Sequence, residues 1–147
     1  MEIERRFLVN DKVQLNVMPI IISQGYMLSD DKSNLRVRLS DTQGFITYKN
    51  KISDMSNHEY EYEIPSSDAS EMIRLSKYKI SKLRYILPYH KDIVWEIDRF
   101  ENGLIIAEIE IPSEDFELDL PEWIEKEITG EFEYSNLYMA KNGLKEK

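Results

Sequence analysis

Residues 58–65 read HEYEYEIP. A strand turns alternate side chains to opposite faces, so Glu59, Glu61 and Glu63 share one face, with Tyr60, Tyr62 and Ile64 on the other. Neighbouring carboxylates on that face stand about 7 Å apart, given a strand rise of roughly 3.4 Å per residue. Three like charges in one row need something to face.

The same period runs through the chain. In EIERRF (2–7), Glu2, Glu4 and Arg6 share a face, opposite Ile3, Arg5 and Phe7. IIISQGYML (20–28) is apolar and β-branched. NLRVRLS (34–40) pairs Arg36 with Arg38, and FITYKNKI (45–52) groups Thr47, Lys49 and Lys51. ISKLRYIL (80–87) pairs Lys82 with Arg84, VWEIDRF (94–100) pairs Glu96 with Asp98, and LIIAEIEIP (104–112) pairs Glu108 with Glu110. Together they predict about eight strands. Turns such as SDTQGF (40–45) and FENGL (100–104) join them into a mostly antiparallel sheet.

An antiparallel sheet with one wet face shows similar alternation. Two features argue for more. The polar face is almost wholly ionic, and its charges are sorted by sign strand by strand, whereas a surface shaped only for solubility intersperses them. Basic and acidic strands make sense when they face one another across a closed sheet. The expected fold is therefore mainly β: an eight-stranded antiparallel barrel or tunnel with a charged lumen and helices packed outside it. Burying so many unpaired ions costs several kcal/mol each, so the lumen must hold water, ion pairs or a ligand.

Three helices are predicted. One is short, NDKVQL (10–15), with Asn10 or Asp11 as N-cap. The second is PSSDASEMIRLSKYK (65–79), where Asp68 and Glu71 suggest a capping box. The third, YSNLYMAKNG (134–143), is capped by Ser135 or Asn136 and ended by Gly143. LPEWIEKEIT (120–129) reads as one helical turn followed by a short strand.

The 147 residues fit a single domain, 1–147. There is no cysteine, which excludes a disulfide framework, a thiolate metal site and a thiol nucleophile. The start has no signal-peptide pattern, and the longest apolar run, Val17–Ile22, is too short to span a bilayer, so a cytoplasmic protein without a membrane partner is expected. A net charge of -9 argues against a nucleic-acid polymer as partner.

The carboxylates Glu2, Glu4, Glu108, Glu110 and Asp98 offer hard oxygen ligands, which favour Mg²⁺ or Mn²⁺ over zinc or copper. His58 and His90 fall outside the pattern. Arg6, Arg36, Arg38, Lys49, Lys51, Lys82 and Arg84 offer cations enough for a polyanion such as a triphosphate. Phosphate-binding cations beside metal-binding carboxylates are the parts phosphoryl transfer needs. No Walker A loop or dinucleotide fingerprint is present.

EIERR resembles the ExExK signature of the CYTH domain, or triphosphate tunnel metalloenzyme, superfamily. The resemblance continues in order through QGY, LRVRL, ITYKNK, EYEYEIP, KLRY, WEIDRFENGL, AEIEIP, PEWIEKEITG and YSNLYMAK, over nearly the whole chain. It implies an eight-stranded tunnel plugged at one end by the C-terminal helix, a small triphosphate substrate and a divalent cation. It implies Glu2, Glu4, Asp98, Glu108 and Glu110 as metal ligands. Arg6, Arg36, Arg38, Lys49, Lys51, Lys82 and Arg84 would hold phosphates. Glu59 and Glu61 would bind a second metal or orient cations, with Glu63 in a structural role, and Tyr26 would position substrate or water. Glu2, Glu4, Lys49 and Glu110 stand closest to the chemistry, with Lys49 or an acidic-strand Glu positioning the attacking water.

The expected activity is that of a small inorganic triphosphatase, splitting tripolyphosphate into diphosphate and phosphate. The alternatives are a class IV adenylate cyclase, a thiamine or nucleoside triphosphatase, and a non-catalytic binder of polyphosphate or nucleotide. The resemblance also leaves room for a homodimer. One letter departs from the family pattern: Arg6 stands where Lys is usual, which keeps the charge but makes proton donation there doubtful.

Overall fold

Every alternating segment forms a strand in the computed structural model, which describes residues 1–147. The strands are β1 (Glu2–Val9), β2 (Ile20–Ser29), β3 (Ser33–Ser40), β4 (Gln43–Lys51), β5 (Ser56–Ile64), β6 (Tyr78–His90), β7 (Ile93–Arg99), β8 (Ile105–Glu110) and β9 (Ile124–Glu127). Two helices, α1 (Ser66–Leu75) and α2 (Asn136–Asn142), and a single 3-10 turn (Phe132–Tyr134) complete the fold.

The first eight strands close into a ring in the order β5-β4-β3-β2-β6-β7-β8-β1, and β1 pairs back onto β5. The closing seam is short. Glu2 lies opposite Asn57, Ile3 opposite Ser56, and the Glu4 N–H donates to the Met55 carbonyl at 3.0 Å. Beyond the seam the same edge of β1 takes up β9, a ninth strand added to the expected eight, with Phe7 opposite Glu127 and Leu8 opposite Lys126. Both edges of β1 are thus paired along most of their length, by β8 on one side and by β5 and β9 on the other.

The outward faces of β1, β6, β7 and β8 carry one core of Phe7, Val9, Tyr85, Trp95, Ile97, Ala107, Ile109 and Ile111. Trp95 is its centre, meeting Phe7 and Trp123 edge-on at centroid separations of 5.8 and 5.1 Å. Helices do not cover this face. Val13, Leu15, Phe116, Leu118 and Trp123 do so, from irregular segments held by apolar burial at roughly 1.5–3 kcal/mol per large side chain.

The short helix expected at 10–15 is therefore absent. Asn10 Oδ1 accepts from the Lys12 N–H and its Nδ2 donates to the Glu122 carbonyl, a local turn that pins the segment to the 111–124 cover. The second helix is shorter than expected. It ends at Leu75, and Tyr78 already belongs to β6. Its N-cap is Pro65 without a side-chain cap, so no capping box forms, and Glu71 pairs with Arg74 instead.

α1 lies against β2, β3 and β4 because two glycines let it approach. A Cβ on Gly25 would collide with Ser76 Oγ, and one on Gly44 would meet Ala69 Cβ at 2.7 Å. α2 is capped by the Ser135 hydroxyl, which accepts from the Tyr138 N–H at 3.1 Å, and it ends at Gly143 with φ 96°. Its Met139 packs among Tyr26, Ile80, Phe100, Leu104, Ile106 and Ile128, a second core that stoppers one end of the ring. No helix is long and apolar enough to cross a membrane.

Candidate active site in the β tunnel

The ring sorts its charges into two arcs. β5, β1, β8 and β7 stand side by side and turn Glu59, Glu61, Glu2, Glu4, Glu110, Glu108, Glu96 and Asp98 inward. β4, β3, β2 and β6 form the opposite arc, with Lys49, Arg36, Arg38, Lys82 and Arg84. Arg6 is the one cation on the acidic arc, opposite Glu108. Where the arcs meet, opposite signs pair across neighbouring strands: Lys49 with Glu59 on one side, Arg84 with Asp98 on the other. Between them lies a cavity of about 390 Å³, and only three of its 29 lining residues are hydrophobic. An apolar ligand has nothing to hold there, whereas a small polyanion with a cation does.

At the stoppered end the protein answers its own charges. Asp98 is 1% exposed and accepts from Arg84 Nε at 2.8 Å and Arg84 Nη2 at 3.0 Å, with Lys82 Nζ at 2.7 Å. Against the cost of burial, Lys82 and Arg84 hold Asp98 below the usual carboxylate range. Arg84 also donates to Glu96 at 3.0 Å and lies 3.7 Å from Glu108. Burial alone would raise Glu108, but Arg6, Lys82 and Arg84 outweigh it and hold this carboxylate well below its ordinary range. Arg6 donates from Nε to Glu108 at 3.2 Å and from Nη1 to the Tyr134 carbonyl at 2.9 Å, while its Nη2 is buried without a partner.

Toward the other end of the β1–β8 wall the charges are answered only in part. The Glu4 side chain makes neither ion pair nor hydrogen bond, and Glu4 lies directly opposite Glu110, a like-charge pairing that destabilises a sheet. Loss of solvent, with Glu108 and Glu2 nearby, pushes Glu4 up to about 7 against the pull of Lys49. Burial also raises Glu2 and Glu110. Glu2 Oε1 lies 3.0 Å from Lys49 Nζ but lacks hydrogen-bond geometry, so it is left without a donor. On the opposite arc, Arg36 Nε is buried and unpartnered.

A profile of the CYTH domain family matches residues 1–141. The chain belongs to the CYTH domain family. An inorganic triphosphatase of Acetivibrio thermocellus is 39% identical over 150 residues, covering 98% of this CYTH chain and 96% of the relative. The crystal structure of an inorganic triphosphatase superposes with a TM-score of 0.66 at 29% identity, covering 95% of this chain and 94% of that one. A Hippeastrum adenylyl-cyclase candidate with a dominant triphosphatase activity superposes at TM-score 0.57 over 77% of this chain and 80% of its own. At 15% identity it adds a likeness of fold alone.

CYTH membership implies a divalent cation, and the donors present set how it can be held. No three His, Cys, Asp or Glu side chains converge on one point. The CYTH tunnel by itself thus offers a grip of one or two carboxylates, which is what Mg²⁺ takes when it keeps waters and substrate oxygens in its shell. Glu4, unpaired, and Glu2, with an orphaned oxygen, fit that role, with Glu110 opposite at the mouth. Glu108 and Asp98 fit it less well, because cations already hold them. Asp98, expected as a metal ligand, does not line the cavity, and both its oxygens are taken. Its place is that of an anchor for Lys82 and Arg84.

Other expected residues sort as follows. Glu59 lies 3.4 Å from Lys49, and Glu61 accepts from the Thr47 hydroxyl at 3.2 Å, both engaged in orienting neighbours. Lys51 is half exposed at the mouth and pairs with Asp54 at 3.3 Å. Glu63 lies outside the cavity. Tyr26 is buried, and its hydroxyl accepts from Gln24 Nε2 at 3.0 Å. Gln24 in turn accepts from Arg38 Nε at 2.9 Å, so one buried amide aims both side chains. Gln24 was missed from sequence, although it shares the Tyr26 face by simple alternation. Glu96 was seen on its strand face but given no role.

Proposed function

We propose that the protein hydrolyses inorganic tripolyphosphate to diphosphate and phosphate, with Mg²⁺ or Mn²⁺. The observation that carries this reading is the gathering of unmet groups around one cavity: the Glu4 carboxylate and an oxygen of Glu2 on one arc, Arg36 Nε on the other, and Arg6 Nη2 beside Glu108. A polyanion together with a divalent cation satisfies both, and neither alone does. The 39% identical inorganic triphosphatase supports the same reaction.

In this mechanism Arg36, Arg38, Lys82, Arg84 and Arg6 hold the phosphate oxygens along the tunnel, the guanidinium forks fixing orientation as well as charge. Glu2 and Glu4 hold the cation, with Glu110 beside them. When bound, the cation neutralises phosphate charge and makes the phosphorus more electrophilic. Despite burial, Glu4, Glu2 and Glu59 hold Lys49 above its ordinary value, so it stays protonated and cannot take a proton from water. Lys49 instead orients the water or a phosphate oxygen. Water adds to phosphorus, the bridging P–O bond breaks with its electron pair going to the diphosphate, the proton of the water passes to a phosphate oxygen, and both products leave along the tunnel. Arg6 serves as a phosphate holder and not a proton donor, because a guanidinium does not deprotonate. The chain acts in the cytoplasm in this reading, on a small-molecule substrate.

The test is phosphate release from tripolyphosphate, ATP and thiamine triphosphate with Mg²⁺ and with Mn²⁺, and a search for cyclic AMP in the ATP reaction. Turnover is expected fastest on tripolyphosphate. No phosphate from any substrate removes the hydrolase reading, and cyclic AMP as the main product replaces it with a cyclase.

A further inference from the structure

The stoppered end of the tunnel carries a side chain that the charged strands do not explain. Asn136, at the start of α2, lines the cavity. Lys82 Nζ donates to Asn136 Oδ1 at 3.1 Å and contacts Asp98 Oδ2 at 2.7 Å. Burial pulls Lys82 down to about 7 against the attraction of Asp98. As an ammonium it only donates, so the amide oxygen is the atom that meets Lys82 and the amide NH₂ is turned elsewhere. No protein acceptor takes that NH₂. Lys82 has three N–H bonds and two partners, which leaves one donor unspent. Two residues before Asn136, the Tyr134 carbonyl holds Arg6 Nη1 and leaves Arg6 Nη2 buried and unpartnered.

Arg6, Lys82 and Asn136 all line this one cavity, so their spare donors are gathered in its wall around the same end. That space is blind. Met139, three residues into α2, is packed among Tyr26, Ile80, Phe100 and Ile106, and the Lys82 side chain is 0% exposed. A chain of phosphates cannot continue past this point and must end here.

We infer that Asn136 is a phosphate-positioning and specificity-determining residue, whose NH₂ donates to the terminal phosphate of a linear polyphosphate. This rests on the triphosphate reading of the tunnel. The substrate presents a free terminal phosphate to the stopper, and any substituent on the chain lies toward the mouth.

Asn136→Asp separates this role from a structural one. It keeps an oxygen acceptor for Lys82 and the side-chain shape, but it replaces the donor with an oxygen that repels phosphate. The readouts are calorimetric titration with tripolyphosphate and with cyclic trimetaphosphate in EDTA, and KM and kcat for tripolyphosphate with Mg²⁺. Kd and KM for tripolyphosphate are expected to rise at least about tenfold with the thermal midpoint retained. The preference for the linear chain over the ring, which has no terminal phosphate, is expected to fall. Unchanged Kd and KM, or an unchanged preference, overturns the inference. If Asn136→Asp does not fold, Asn136→Ala is judged by the same two readouts. Wild-type protein that binds tripolyphosphate without releasing phosphate removes the hydrolase reading, while the Kd comparison still decides Asn136. Wild-type protein that binds no tripolyphosphate in EDTA and releases no phosphate from it with Mg²⁺ overturns both.

Discussion

Asp98 and Glu4 are inward-facing carboxylates in the same ring, and their surroundings differ. Asp98 accepts a two-pronged grip from Arg84 and an ion pair from Lys82, which hold it ionised. Glu4 has no partner, faces Glu110 across the sheet and is pushed up to about 7 as its solvent is lost and Glu108 and Glu2 crowd it. A buried carboxylate with partners belongs to the fold. An enclosed carboxylate without them raises the free energy of the empty protein and is relieved by a cation. The tunnel therefore divides into a self-satisfied end that aims cations and an unsatisfied wall that waits for ligands.

The largest effect expected from that division is on stability. Asp98→Ala strands Lys82 and Arg84 and should cost about 3–5 kcal/mol in urea unfolding. Were Asp98→Ala as stable as wild type and deficient in cation binding, the division would be broken. Glu4→Gln should do the reverse. With Glu4 as the proposed cation ligand, its loss forfeits about 3 kcal/mol of transition-state stabilisation, so phosphate release should fall on the order of 100-fold, at 1.36 kcal/mol per tenfold. In the metal-free state its urea midpoint should match or exceed that of wild type.

The pH dependence sharpens the same contrast. The folded protein holds a proton on Glu4 up to about 7, whereas the unfolded chain loses it near 4.5. Between these values the native state binds more protons, so metal-free stability falls as pH rises from 5 to 7, on the order of 1 kcal/mol. Asp98 and Glu108, held low, contribute the opposite slope, but only at pH values below the unfolded-state range. Thermal midpoints measured with EDTA and with Mn²⁺ at pH 5.5 and 7.5 check this, and the Mn²⁺ gain should be larger at pH 7.5. The smallest effect is expected at Lys51, half exposed and paired with Asp54 at the mouth. Lys51→Ala should change KM for tripolyphosphate by no more than about threefold, because solvent screens a charge there.

Alternation alone revealed the strands and which side chains share a face, since a period of two leaves one choice per strand. Sorting by sign then pointed to closure, because Glu59 with Glu61 and Arg36 with Arg38 need opposite partners. The rest depended on contacts that no local pattern encodes. Asn136 meets Lys82 across 54 positions of chain. Asn10 reads equally as an N-cap and as the turn it actually makes, because the same side-chain oxygen serves both. The outer cover of Trp95 is irregular chain because apolar burial, not hydrogen-bonded periodicity, holds it there. Which carboxylates already carry partners was also beyond the motif. Glu4 and Asp98 look alike as letters, and only their neighbours distinguish them.

The most direct measurement is the anomalous diffraction of crystals grown with Mn²⁺ and a non-hydrolysable imidotriphosphate. A manganese peak beside Glu2 and Glu4, with Asp98 still held by Lys82 and Arg84, is the expected result. A peak on Asp98, or an ordered triphosphate with no metal near Glu4, would contradict the division of the tunnel into anchored and waiting charges.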